Sequence, residues 1–146
     1  MKKICIVASK YYEDIIKMLI DGTNDVLSNH KKKFKTKIIY VPGVFEIPYA
    51  ISKNLKKYDA FIALGCVIKG ETPHFDFISK SSIDAIMKLS IESKKPIGNG
   101  ILTCLNKDQA IERADKLNKN KGKEAANAAI EPVSYTHLTL PTILLV

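Results

Sequence analysis

The sequence alternates between short apolar runs and longer stretches in which apolar residues recur every three to four positions. The clearest run is Ala60-Phe61-Ile62-Ala63-Leu64-Gly65-Cys66-Val67-Ile68. Unbroken and short, it predicts a strand buried on both faces, as in a parallel sheet. Residues 4–8 predict a first such strand, and the β-branched Ile38-Ile39-Tyr40-Val41 a second. Pro96-Ile97-Gly98-Asn99-Gly100-Ile101-Leu102 predicts a fourth, whose glycines suggest close approach of backbone or ligand. Between the strands, Ile15, Ile16, Met18, Leu19 and Ile20 carry the spacing of a helix over residues 12–27. Val44-Phe45-Glu46-Ile47-Pro48 leads into a helix to residue 56, with Pro48 tolerated in its first turn. A third helix is expected over residues 79–90. Asn106 followed by Gln109 resembles a capping box and opens a helix to residue 117. Asn120-Lys121-Gly122 breaks it, and residues 123–130 start a last helix.

This order predicts an α/β fold: a three-layer α/β/α sandwich around a central parallel four-stranded sheet, flavodoxin-like, with right-handed crossovers. Ligands of such sheets sit past the carboxyl ends of the strands. The polar loop Lys69-Gly70-Glu71-Thr72-Pro73-His74 lies there. Gly70 lets backbone N–H groups approach an anion, Thr72 adds a hydroxyl donor, and His74 suits proton transfer near neutral pH.

A length of 146 residues fits one domain, taken as residues 1–131. From Pro132 onward no charged residue occurs, although 26% of the chain is charged. Pro132 is expected to stop the preceding helix, Ser134-Tyr135-Thr136-His137-Leu138-Thr139-Leu140 alternates like a strand, and residues 132–146 read as an apolar tail of non-native origin. Cys5, Cys66 and Cys104 lie in apolar segments without metal-ligand or disulfide spacing, which favours a reducing, cytoplasmic setting. The basic start Met1-Lys2-Lys3 precedes too short an apolar run for a signal peptide, and nothing is long enough to span a membrane. A net charge of +8 raises the question of nucleic acid. Its densest run, Lys31-Lys32-Lys33-Phe34-Lys35-Thr36-Lys37, has no nucleic-acid motif around it and reads as a solvated turn, so no nucleic-acid partner is expected.

Singly, the candidate residues are ambiguous: a histidine after a strand, an arginine on a helix or a tyrosine in a turn is usually structural. Their positions converge, however. Tyr11, Phe45-Glu46, Gly70 to His74 and Asn99 follow or end strands on one sheet edge, and Arg113 and Lys121 lie where they can reach back to it.

Several blocks resemble the lumazine synthase family. They are Val41-Pro42-Gly43-Val44-Phe45-Glu46-Ile47-Pro48, Leu64-Gly65-Cys66-Val67-Ile68-Lys69-Gly70-Glu71-Thr72-Pro73-His74-Phe75-Asp76 and Gly100-Ile101-Leu102-Thr103. Gln109-Ala110-Ile111-Glu112-Arg113-Ala114 and Asn120-Lys121-Gly122 continue the resemblance, in order, over residues 3–131. It implies an enzyme that condenses 5-amino-6-ribitylaminouracil with 3,4-dihydroxy-2-butanone 4-phosphate, the penultimate step of riboflavin biosynthesis, without metal or redox cofactor.

Carried over by position, the resemblance implies that Tyr11 stacks on the pyrimidine while Phe45 and Glu46 line the ribityl chain, with Val44 also among the substrate-binding residues. The backbone of Cys66, Val67 and Ile68 would hold the pyrimidine edge, and Lys121 its carbonyl. Glu71, Thr72 and Arg113 would hold the phosphate, and His74 would move protons. Asn99 would serve a neighbouring subunit's site. The resemblance also implies a homo-oligomer, a pentamer ahead of a shell of twelve pentamers, with riboflavin synthase as a partner. Tyr11 stands where phenylalanine is usual, Tyr12 where asparagine is usual, and Asn99 where many members carry phenylalanine. These departures leave open a non-catalytic flavin- or lumazine-binding protein on the same scaffold. A generic phosphate-binding domain fits the loop alone and leaves Phe45-Glu46 unexplained.

Overall fold

The computed structural model describes residues 1–30, 32–70 and 74–134. Four strands, β1 (Lys2–Ser9), β2 (Phe34–Val41), β3 (Ala60–Ile68) and β4 (Ile97–Cys104), form one parallel sheet in the order β2-β1-β3-β4. The connections are helices: α1 (Glu13–Ser28), α2 (Ile47–Asn54) and α3 (His74–Ser93), then α4 (Lys107–Ala114) and α5 (Lys121–Ser134) after β4. A short 3₁₀ turn, Val44–Glu46, precedes α2.

Strand alternation sorts the core into two clusters. Ile4, Ile6, Ala8, Ile62, Leu64, Cys66 and Leu102 point to α1, α4 and α5. Cys5, Val7, Phe61, Ala63 and Ile101 point to the 3₁₀ turn, α2 and α3. This is the expected three-layer sandwich. On the first face α5 lies almost on β4, because a Cβ on Gly98 would collide with the Ala125 carbonyl. Thr23 Oγ1 donates to Gly122 O at 3.1 Å, the buried bond between α1 and α5. Among the described residues, no helix is long and apolar enough to cross a membrane.

Five expectations are corrected. First, β2 starts at Phe34 instead of Ile38, so Phe34 to Lys37 are strand residues and not part of a solvated turn. As an edge strand β2 tolerates lysines that a central strand would not. Second, α3 starts at His74 and runs to Ser93, so His74 opens a helix instead of closing a loop. Third, the capping box at α4 is real in part: Asn106 Oδ1 accepts from Gln109 N at 2.9 Å, while Gln109 Oε1 accepts from Leu105 N at 2.8 Å. The helix it opens ends at Ala114, where Asp115 turns extended. Fourth, α2 closes at Asn54, short of residue 56. Fifth, α5 passes through Pro132 to Ser134, since a proline in the last turn sacrifices only one backbone hydrogen bond. Ser134 Oγ donates to Ile130 O at 2.8 Å there. The rest of the expected tail strand lies outside the described residues, as do Glu71 and Thr72.

Candidate active site

Three of the four strand ends deliver side chains to one cavity of about 680 Å³. After β1, Lys10 N donates to Val41 O at 2.8 Å, and the chain turns through Tyr11 and Tyr12 into α1. Tyr12 has φ 63° and ψ 61°, a left-handed backbone that a tyrosine rarely adopts. Its ring meets that of Tyr11 edge-on, with centroids 4.8 Å apart at 87°. Burial, then Tyr11, push the Tyr12 phenol above its ordinary pKa, so it remains a hydrogen-bond donor at neutral pH.

After β2, Gly43 runs extended into the 3₁₀ turn, which is closed by Glu46 N donating to Gly43 O at 3.2 Å. Val44 is buried against Gly65 of β3, which leaves Phe45 exposed and Glu46 half-buried at the cavity. The Glu46 carboxylate folds back over Gly43, its Oε1 lying 3.2 Å from where a Cβ there would be.

β3 supplies the floor through Cys66, Val67 and Ile68. Its pairing with β1 stops at Leu64, whereas its pairing with β4 continues to Ile68. Main-chain groups of this stretch that face β1 are therefore outside the sheet ladder and available to a ligand. Burial, with smaller contributions from Cys104 and Asp14, pushes the Cys66 thiol up to about 12. It stays protonated at neutral pH and offers no thiolate nucleophile. Beyond Gly70, α3 brings His74, exposed at its start, with Phe75 and Ile78 as an apolar wall.

Arg113, Lys121 and Asn99 do not line this cavity. They gather on the outer edge of β4, around a second one of about 410 Å³ with Ile83, Ile101 and Glu124. Arg113 Nη1 donates to Gln109 O at 3.3 Å, and its guanidinium also reaches the Cys104 thiol, opposing the rise that burial imposes there. Arg113 thus reaches the carboxyl end of β4, but not the space beside His74. Lys121 Nζ lies 3.3 Å from Glu124 Oε1. Asn99 Oδ1 accepts from Ile101 N at 3.0 Å.

The first cavity thus offers aromatic faces, a carboxylate acceptor, open main-chain groups and an imidazole. The second offers three cations, Arg113, Lys119 and Lys121, with the Glu124 carboxylate and the Asn99 amide. Sequence reasoning passed over Phe75 and Ile78, whose three-residue spacing at the start of α3 was the available signal. It had no signal for the gap in the β1–β3 ladder.

The profile of the 6,7-dimethyl-8-ribityllumazine synthase family matches residues 1–137, which extends into the tail beyond residue 131. A protein of that name from Bartonella tribocorum is 44% identical over 130 residues, covering 87% of this chain and 85% of the relative. Another from Nitratidesulfovibrio vulgaris is 43% identical over 134 residues, covering 90% and 86%. A third, from Sphingopyxis alaskensis, is 42% identical over 132 residues, covering 89% and 92%. The chain belongs to the 6,7-dimethyl-8-ribityllumazine synthase family.

Proposed function

We propose that this protein condenses 5-amino-6-ribitylaminouracil with 3,4-dihydroxy-2-butanone 4-phosphate to give 6,7-dimethyl-8-ribityllumazine, phosphate and water, in riboflavin biosynthesis. The family match over nearly the whole described chain carries this reading. No observation favours a binding-only protein. Tyr11 stacks on the pyrimidine ring, and Phe45 and Glu46 take the ribityl chain, whose hydroxyls donate to the carboxylate. Main-chain groups from Cys66 to Ile68 read the pyrimidine edge. His74 moves protons as the imine forms and phosphate leaves. Glu71 and Thr72 hold the phosphate together with Arg113. Mixing the two substrates with the protein and following product fluorescence tests the assignment; no product would overturn it.

The pocket is completed by a neighbouring copy. In support, Arg113, Lys121 and Asn99 lie on the outer edge of β4, away from His74. The solvent side of α3 also carries Phe77, Met87 and Ile91, 66%, 58% and 67% exposed, at spacings that put them in one helical stripe. Such a patch marks a protein contact. Head-to-tail use of two different edges closes into a ring, here a pentamer. A shell of such rings and a riboflavin synthase partner rest on the family resemblance alone. The three buried free cysteines support a cytoplasmic setting. Complementation tests the shared site. Chains carrying His74→Ala and chains carrying Arg113→Ala, co-refolded in equal amounts, should place both intact halves together at about a quarter of the sites. Activity no higher than the separate variants would overturn it.

A further inference from the structure

The amino-terminal end of the sheet, opposite the active site, carries a concentration of charge that the synthase reaction does not use. Lys3 on β1 stands directly opposite Lys35 on β2, and Lys37 follows on the same face of β2. Further along, that face is covered by α2, with Cys5, Val7, Ile39 and Val41 packed in one cluster with Ile47 and Ile51. α2 ends at Asn54, leaving the rim uncovered, and Lys56 and Lys57 follow it there. The five lysines and Tyr58 line a cavity of about 510 Å³.

Lys80, Lys88, Lys107, Lys116 and Lys121 each pair with a carboxylate, but among the described residues none of the five rim lysines does. Asp59, adjacent to Tyr58, has its Oδ2 on the Lys3 main-chain N–H at 2.8 Å. Like charges opposite one another on neighbouring strands destabilise a sheet. A concave wall of one sign focuses its field on a counter-ion. Edge lysines also deter sheet-to-sheet pairing, but that role needs only β2. It leaves Lys3, on an inner strand, and Lys56 and Lys57 without a reason to converge.

We propose that this rim is a second anion site, for a compact oligophosphate, free or as the phosphate tail of a nucleotide. Such an anion places several charges within one short chain, which suits flexible point-charge donors better than a planar fork.

Calorimetric titration of the full chain with inorganic tripolyphosphate at low ionic strength should give saturable binding of one anion per chain. Lys35→Glu/Lys57→Glu should weaken it about tenfold or more, with product formation at the unmodified rate. Lys37→Gln/Lys56→Gln, which removes charge without reversing it, gives the same reading if the first variant fails to fold. Arg113→Ala should leave tripolyphosphate binding unchanged. Substituting ATP separates the two sources: tighter binding assigns the nucleotide, equal or weaker binding the free oligophosphate. Non-saturable binding, unchanged affinity in the charge variants, or loss of binding in Arg113→Ala would overturn the proposal.

Discussion

Val44 occupies the space that any side chain at residue 65 would need: a Cβ on Gly65 would fall 2.6 Å from Val44 Cγ2. The 3₁₀ turn that carries Phe45 and Glu46 is therefore seated by an absent methyl group. Gly65→Ala should destabilise the fold by about 1–3 kcal/mol through overpacking, and raise KM for the pyrimidine more than for the phosphorylated butanone. Adding Val44→Ala should restore part of both. Denaturant midpoints and steady-state kinetics on the single and double variants check this coupling.

Tyr12 enters α1 with a left-handed backbone and no side-chain cap. Asparagine tolerates that conformation and can cap a helix, so Tyr12→Asn should stabilise the protein by about 1 kcal/mol. Thermal unfolding reads it directly. A lower melting temperature would mean that the edge-on contact with Tyr11 outweighs the strain.

Arg113→Ala should raise KM for the butanone phosphate and leave pyrimidine binding nearly intact. Losing one charge-assisted contact costs on the order of 1.5–3 kcal/mol. Equal weakening of both substrates would remove Arg113 from the phosphate subsite.

His74→Ala should slow turnover by about 10²–10⁴-fold without abolishing it, because holding two substrates in register supplies much of the rate. The measurement is turnover across pH. An unchanged profile would make His74 a structural residue.

Burial holds the Cys66 thiol at about 12 against an ordinary 9.0, so the folded state favours the protonated form. Its contribution is full below pH 9.0 and is lost as pH rises through about 12. The denaturant midpoint should fall over that window, and fall less in Cys66→Ala. A thiol reagent at neutral pH should reach Cys66 only after unfolding.

β3 was legible to the residue because both of its faces are buried, which leaves an unbroken apolar run. β2 was half legible. Its amino-terminal half is exposed at Lys35, Thr36 and Lys37, and only Phe34 signals the core. α3 hid its first turn because only Ser82 and Ile86 are buried along its length, too few to give a strong period. The strand-end rule anticipated that residues after β1, β2 and β3 would meet, and they line one cavity. The separation of Arg113 and Lys121 was not legible. It depends on α4 stopping at Ala114 and on Asn120 taking φ 48° before α5, which are tertiary outcomes without a local signature.

Tyr11 and His74 border one hollow and Arg113 and Lys121 another, with no lining residue in common. Under the shared-site reading a solitary chain presents two incomplete halves, and mass action governs its chemistry. Dilution below the association threshold would silence the enzyme without unfolding it, and specific activity would climb with protein concentration before levelling off. Synthesis of the polypeptide and onset of its activity would then be separate events, the second waiting on the encounter of copies.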